Sequence, residues 1–566
     1  MGSQPGHLQH KFAESIAPPR GWTLAAGRWR AAAGLRRGAR AVSGAALLLV
    51  LPVGVAVAQG NAWTTIGSFG EDRLRLRQLL GTLPTDGFLL RTPSSMNARA
   101  RSAGAGVWLE LLQPELRSVW NSRIPFLHND GAMWAGRGAS VLVRAGVRAR
   151  YGPVEIVLAP EFAYSQNRPF EVFPGREPGR STFSSPWHIG AESADLPLRF
   201  GDQPLRVVGL GQSSITVVAG PVAVGASTEN QWWGPGIRNA IVMSDNAQGI
   251  PHLFLRTSRP VPTPLGPVEA RWIIGGLTES LYFDTVASND LRSLSGLVVT
   301  LRPGGARGLT LGLARTVYGG EAGSTGAVIG RLFDVVTRFE RLANPGEADS
   351  SVRRDQLISL FGRWVFPESH FEVYAEWARM ELPRSVRDLL LAPQHTQGYT
   401  LGLQWARPAG GDDRFFRFRA ELTNVEQSIA YTDRPTPPDF YAGRATAHGY
   451  TQRGKVIGAA IGPGGSSEWL AGDYIAPAWQ AGLFVGRIRW ENDALYRQDA
   501  ANYLRHDVSV FAGVRGGTRS RRLDVTAELT AARRLSYLFQ NGAASPGGHC
   551  TIDISNYTLA FVLSPR

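Results

Sequence analysis

Past about residue 100 the chain alternates apolar and polar side chains in runs of roughly ten residues, the length a tilted strand needs to cross a bilayer. In RLDVTAELTAA, Leu523, Val525, Ala527, Leu529 and Ala531 fall on one face, and Asp524, Thr526, Glu528 and Thr530 on the other. In FRFRAELT, Phe416, Phe418, Ala420 and Leu422 oppose Arg417, Arg419, Glu421 and Thr423. HFEVYAEWA puts Glu372, Tyr374 and Glu376 on its polar side, and FVGRIRW puts Arg487 and Arg489 there. A soluble sandwich also alternates, but with shorter strands and an apolar core. Long strands with one ionic face indicate an all-β fold, a transmembrane outer-membrane β-barrel with lipid outside and water inside.

Eighteen such segments, from 106–112 to 556–563, give the even number that single-chain bacterial barrels have. Connections after even-numbered strands are mostly short, as at Tyr151-Gly152, Gly220-Pro221, Gly304-Gly305, Pro367-Glu368-Ser369 and Gly516-Gly517. Those after odd-numbered strands are long: 165–205, 229–251, 319–354 and 424–452. Short periplasmic turns and long external loops orient the chain. One place breaks the rule: with a strand at 453–463, residues 464–479 make a long connection where a short one belongs, and an inward loop or small helix is expected there.

The N-terminus sets the compartment. Arginines 28, 30, 36, 37 and 40 precede VSGAALLLVLPVGVAVA, which ends in Ala56-Val57-Ala58 before Gln59, the pattern of a basic region, a short apolar region and a small-x-small cleavage site. Residues 1–58 are therefore read as a signal peptide with an extended basic region, 59–103 as a periplasmic helical segment, and 104–566 as the barrel with long extracellular loops. Within 59–103, Glu71 and Asp72 open an amphipathic pattern that carries Leu74, Leu76, Leu79 and Leu80 and stops at Gly81, which predicts one short helix. Removing 1–58 lowers the net charge from +14 to +8, nearly all arginine, since Lys455 is the only lysine left. Arginines scattered singly along strands of an exported chain argue against nucleic acid and for lipopolysaccharide or an acidic glycan. Cys550, the only cysteine, excludes an intramolecular disulfide.

The loop ENQWWGPGIRNAIVMSDNAQGIP, on the external side, concentrates unusual residues. Trp232 and Trp233 have flat faces of the kind that stack on sugar rings, and Asn230, Gln231, Arg238, Asp245 and Asn246 have the hydrogen-bonding groups that hydroxyls need. Adjacent tryptophans equally serve as packing for a loop folded into the barrel. Both readings stand at this stage. The 424–452 loop is the second candidate for glycan contact, through Tyr431, Asp433, Arg434, Asp439, Tyr441 and Arg444.

ENQWWGPGIRNAIVMSDNAQGIPHLFL, then LGPVEARWIIGGL, HGYTQRGKVIGAAIG at 448–462 and LGQSSITV at 210–217 resemble the capsule assembly protein Wzi family. The resemblance runs from about residue 70 to the end. It implies an eighteen-stranded outer-membrane barrel with a periplasmic helical bundle, binding capsular polysaccharide at the cell surface as a lectin. Two features depart from the pattern: 59–103 holds one clear helix, and the chain ends in Arg566 where outer-membrane strands commonly end in an aromatic residue.

Glycoside hydrolysis needs two carboxyl groups at a set separation. Glu372 with Glu376, and Asp524 with Glu528, share faces, but any ionic lumen makes such pairs. No nucleophile elbow, zinc-binding histidine pair or phosphate loop is present, and His252 and His448 read as loop and strand-end residues. The expectation is a non-catalytic monomer without cofactor or metal, in the outer membrane with its loops at the cell surface. Its partners would be capsular or extracellular polysaccharide, outer-membrane lipid and lipopolysaccharide. The alternative is a porin or oligosaccharide channel, with Arg144, Arg148, Arg417, Arg419, Arg487 and Arg489 selecting anions.

Overall fold

The computed structural model describes residues 57–58, 63–84, 89–98, 108–126, 128–172, 178–190, 193–339, 354–383, 385–410, 413–427, 439–497, 503–520, 522–540 and 552–565. Of the expected signal segment only the Val57–Ala58 backbone falls within them, pairing in parallel with Leu109 and Glu110.

Eighteen antiparallel strands close into a barrel. They are β1 (Trp108–Asn121), β2 (Gly138–Tyr151), β3 (Val154–Leu158 continued by Glu161–Ser165) and β4 (Leu205–Gly209 continued by Ser214–Ala219). Next come β5 (Val222–Ser227), β6 (His252–Thr257), β7 (Val268–Thr278), β8 (Leu291–Leu301) and β9 (Leu309–Glu321). β10 (Asp355–Phe366), β11 (Phe371–Arg379), β12 (Gln397–Pro408), β13 (Phe415–Asn424) and β14 (Ser466–Ile475) follow. β15 (Trp479–Arg489), β16 (Val508–Arg519), β17 (Leu523–Leu535) and β18 (Ile554–Pro565) complete the wall. β18 pairs with β1, Thr558 opposite Asn121, and the ring has no free edge.

The dyad sorts as physics requires. On β13, Phe416, Phe418 and Leu422 are exposed outward, while Arg417, Arg419, Glu421 and Thr423 are buried inward. Val373 and Leu529 face out; Glu372, Tyr374, Glu376 and Thr530 face in. Trp364, Trp405, Phe416 and Trp479 mark the outer wall near the short turns, as an interfacial girdle does.

Two expectations are corrected. The fourteenth strand is not 453–463 but Ser466–Ile475; Thr451–Gln452 and Lys455–Val456 form a separate miniature hairpin inside the barrel. Val456, Ile457, Ala459 and Ile461 are apolar because they enter the core, not because they lie on a strand. With β14 in place the turn to β15 is only 476–478, and the connections after even-numbered strands, the longest being 258–267, are all shorter than those after odd-numbered strands. The second correction concerns Arg487 and Arg489. They share the outward face of Leu483 and Val485, while Phe484 and Ile488 point in and join the core. Arg487 pairs with Glu468 at 3.2 Å and Arg489 with Glu426, so neither lines a pore.

The lumen is filled. A large apolar cluster runs through it, joining Phe254, Ile273, Leu294, Val298, Tyr318 and Phe361 of the wall to Trp233, Ile241, Val242, Tyr441 and Tyr450 of two inward-folded loops. At the short-turn end sits α1 (Phe69–Leu79), capped by the Ser68 hydroxyl, which accepts the Glu71 N–H. Leu76 and Leu79 pack on Val365, Ala406 and Ile475 near those turns. A short α2 (Pro93–Ala98) follows before β1.

Candidate functional site

Ion pairs hold α1 to the wall. Arg75 donates through Nε to Glu372 at 3.0 Å, and Glu372 also accepts from Arg363 at 2.6 Å and Gln404 at 2.8 Å. Asp72 accepts from Arg417 at 2.7 Å and Arg419 at 2.9 Å. Burial opposes ionisation of Asp72, but the two guanidinium groups outweigh it and hold the carboxyl far below its ordinary range.

Above α1, the 228–251 loop turns into the lumen. Trp232–Trp233 pairs antiparallel with Leu90–Arg91, so the N-terminal segment and the loop form a small ladder of their own. Trp233 is in the main core and donates Nε1–H to Gln231 Oε1 at 3.1 Å. Trp232 packs on Ile66 and Ala240 under the Arg91 guanidinium, 4.7 Å from the ring. Only glycine fits the corner that follows: Gly234 has φ +121°, and a Cβ on Gly236 would lie 1.8 Å from the Asn239 carbonyl oxygen. The corner aims the backbone N–H groups of Ile237, Arg238 and Asn239 at the Glu421 carboxylate, at 2.5, 3.0 and 2.8 Å, and the Tyr374 hydroxyl donates to it at 2.7 Å. Glu376 accepts the Ile241 N–H at 3.1 Å and the Ser359 hydroxyl at 2.9 Å.

The 425–465 loop closes over this one. The Tyr441 and Tyr450 hydroxyls each donate at 2.8 Å to the carbonyls of Ile241 and Val242. Asn246 Nδ2 donates to the Val456 carbonyl at 2.9 Å. Lys455 ties a third loop, 122–137, through Asp130 and the Gly131 and Met133 carbonyls.

These contacts locate the residues singled out for sugar binding. Asn230, Gln231, Trp232, Trp233, Asp439 and Tyr441 are buried. Arg238 faces an interior cavity with His128, Glu421, Ser467 and Trp469. Asn230 and Asp245 line another small one, with Glu115, Arg117, Arg144 and Glu161. Burial pushes the Asp245 carboxyl well above its ordinary value, against the pull of Arg117. Asn246 is half-buried, and Arg444 is exposed beside Glu381. Tyr431, Asp433 and Arg434 lie outside the described residues. The alternation had placed Glu372, Glu376 and Glu421 in the lumen, but no local signal indicates that they grip α1 and the tryptophan loop.

The paired carboxylates are engaged structurally: Glu372 and Glu376 as above, and Asp524 with Arg519 at 3.2 Å. Among the described residues, Glu279, Asp284 and His448 bring ligand-type atoms within 4.8 Å of one another at the long-loop end. His448 Nε2 contacts Glu279 directly. Burial and then Asp284 push the Glu279 carboxyl up to about 7, while burial and Arg292 bring His448 down to about 3.

A closed antiparallel barrel with apolar outer bands, alternating short turns and long loops, and a lumen occupied by its own chain defines an outer-membrane barrel of the plugged kind. The chain belongs to the capsule assembly protein Wzi family, whose model matches residues 116–471. Among solved structures it is similar to Wzi of Escherichia coli, an outer membrane protein involved in group 1 capsule assembly and a carbohydrate-binding β-barrel. That likeness has 10% identity over 84% of this chain and 87% of the other, with a TM-score of 0.51, and shows the fold. OprB of Pseudomonas putida is matched at 12% identity over 81% of this chain and 94% of the other, TM-score 0.34. OccK5 of Pseudomonas aeruginosa is matched at 11% over 82% and 100%, TM-score 0.36. No curated protein matches the chain.

Proposed function

We propose that this protein holds a surface polysaccharide, capsular or exopolysaccharide, on its external loops and takes part in assembling or attaching it without chemical conversion. The observation that carries the reading is the occupied lumen: α1 is ion-paired into the short-turn end, and the 228–251 and 425–465 loops interlock above it. A filled barrel suits capture at the surface better than conduction of anions or oligosaccharides. Family membership supplies the ligand class. The carboxylate pairs that hydrolysis would need are bound to arginines, backbone N–H groups and hydroxyls, which supports a non-catalytic role.

On this reading the tryptophan pair shapes the loop platform, and glycan meets the outward side, where Arg444 is exposed. Residues 1–58 direct export, and α1 occupies the periplasmic mouth. The test is binding of the detergent-folded protein to its host's own surface polysaccharide, with Arg444→Ala and a Trp232→Ala/Trp233→Ala variant in parallel, beside conductance in a planar bilayer. Saturable binding with negligible conductance supports the lectin reading. Conductance without binding would replace it with a channel.

A further inference from the structure

The connection between β9 and β10 departs from the others. Its described part, through α3 (Thr325–Ile329) and α4 (Asp334–Thr337), folds back against the outside of the barrel wall. Val328, with Leu332 beside it, packs on Ile274 and Leu291. Phe333 meets Trp272 edge-on, ring centroids 5.1 Å apart. Trp272 and Ile274 point outward, since their neighbours Arg271 and Ile273 are buried toward the lumen.

The wall beneath this segment is polar where lipid would normally touch it. Ser293, Ser295, Arg315 and Gln356 all belong to outward faces, Arg315 in line with the exposed Leu311 and Leu313. Arg315 lies ~20 Å of strand beyond Leu309, or ~14 Å along the membrane normal at the usual tilt, inside an apolar band ~25 Å tall. Leu309 is paired with Trp364 of the girdle, which fixes the lower edge of that band. An arginine there needs cover. The segment provides it: the carbonyls of Val335 and Arg338 accept from the Arg315 guanidinium, Gln356 accepts at 2.8 Å, and Phe339 lies 4.3 Å from it. The Leu332 carbonyl accepts from Ser295 at 2.7 Å and from Trp272 Nε1–H at 3.0 Å.

Most of the bulk the segment turns outward is apolar; the exposed polar groups are Ser324, Thr325, Thr337 and Arg338, the last paired with Asp334 at 3.3 Å. Ile329, Phe333, Val336 and Phe339 are 44%, 57%, 39% and 59% exposed, continuous with the exposed Leu311, Leu313 and Leu360 of the wall. Its backbone is also satisfied internally: the N–H groups of Val328, Gly330, Arg331, Leu332, Asp334, Val336, Thr337 and Arg338 all donate within the segment. A water-facing loop needs no such economy, whereas one in hydrocarbon does.

We propose that residues 324–339 form a lipid-embedded strap, lying in the external leaflet of the outer membrane with Ile329, Phe333, Val336 and Phe339 against acyl chains and its polar underside shielding Arg315. The occupant of the apolar face is lipid, not a protein partner or water.

Single-cysteine variants Phe333→Cys and Phe339→Cys, in full-length protein with Cys550→Ser, test this after labelling with a small fluorophore and reconstitution in phosphatidylcholine bilayers. Arg444→Cys is the water-side reference. With brominated acyl chains, labels at 333 and 339 are expected to be quenched at least several-fold more than the label at 444, and aqueous iodide is expected to reverse the order. Ile329→Cys, a smaller change, gives the same reading if the phenylalanine variants do not fold. Iodide quenching at 333 and 339 equal to that at 444 would put the strap in water, and protection from both quenchers would mean a protein covers it. Either result overturns the proposal.

Discussion

Glu421 on β13 receives the backbone N–H of Asn239 at 2.8 Å, the last of three successive N–H groups it accepts from the tryptophan loop. A buried carboxylate thus does for this loop what an anion does at a helix start. Glu421→Gln keeps the shape but replaces a charged acceptor with a neutral amide whose NH2 faces donors. A loss of about 1.5–3 kcal/mol is expected, read as a lower midpoint in thermal or denaturant unfolding in detergent. An unchanged midpoint would mean that the loop stands without Glu421.

Gly236→Ala is expected to be worse than any side-chain truncation nearby, because the added Cβ meets a backbone carbonyl oxygen that cannot rotate away. The variant should refold poorly, with near-ultraviolet circular dichroism of the tryptophans reduced, while Gly462→Ala, where nothing approaches within 4 Å, tests the φ cost alone.

Trp232→Ala removes a fully enclosed ring and is expected to cost about 3–5 kcal/mol. If its role is packing, residual polysaccharide binding should track the folded fraction. Arg444→Ala breaks its pair with Glu381 and should lower stability by no more than about 1 kcal/mol, while weakening binding. The opposite pattern would move the glycan to the tryptophans.

Loss of the α1 anchor is expected to open the barrel. Asp72→Asn with Arg75→Gln removes contacts to Arg417, Arg419 and Glu372, and single-channel recordings should show conductance steps absent from wild type. Acid should act in the same direction. The Asp72 carboxyl is held low in the fold, so its contribution is complete above the ordinary aspartate value and is lost as pH falls toward the folded one. Conductance that is unchanged in the variant would show that the loops alone close the lumen.

Glu279 carries the reverse sign. Its carboxyl is raised to about 7, so the stability it lends is present below its unfolded value near 4.5 and is lost as pH rises through about 7. The 279–290 loop and the His448 region should exchange backbone hydrogens faster at pH 8 than at pH 6, after correction for intrinsic rates. Glu279→Gln should abolish that difference.

The wall was largely legible because lipid and water impose a two-residue period that a short sequence window reveals. Where that failed, the lumen was not water. Around β6–β9 the inward residues Phe254, Ile273, Leu294 and Val298 are apolar because loops pack against them, so both faces of those strands look alike. The same substitution of loop for water misled the reading at 453–463, and it made Arg487 look inward when Phe484 is the inward residue. The tryptophan loop was visible as a costly motif, and its packing role was one of the two readings open. Its grip by Glu421, Glu376 and Arg91 spans 135 to 183 residues of chain, a distance over which local pattern carries no information.

The closing seam between β18 and β1 has a consequence for biogenesis. Everything that plugs the short-turn end, from Ile66 through α1 to Arg91, precedes β1 in the chain, whereas the strand that completes the ring is made last. Plug and wall are thus one polypeptide, and the segment that fills the short-turn end is tethered directly to the first strand of the seam, so it needs no partner to find its place. A barrel closed without that segment would keep its wall and its two interlocked loops but lose the ion pairs of Asp72 and Arg75 at the short-turn end.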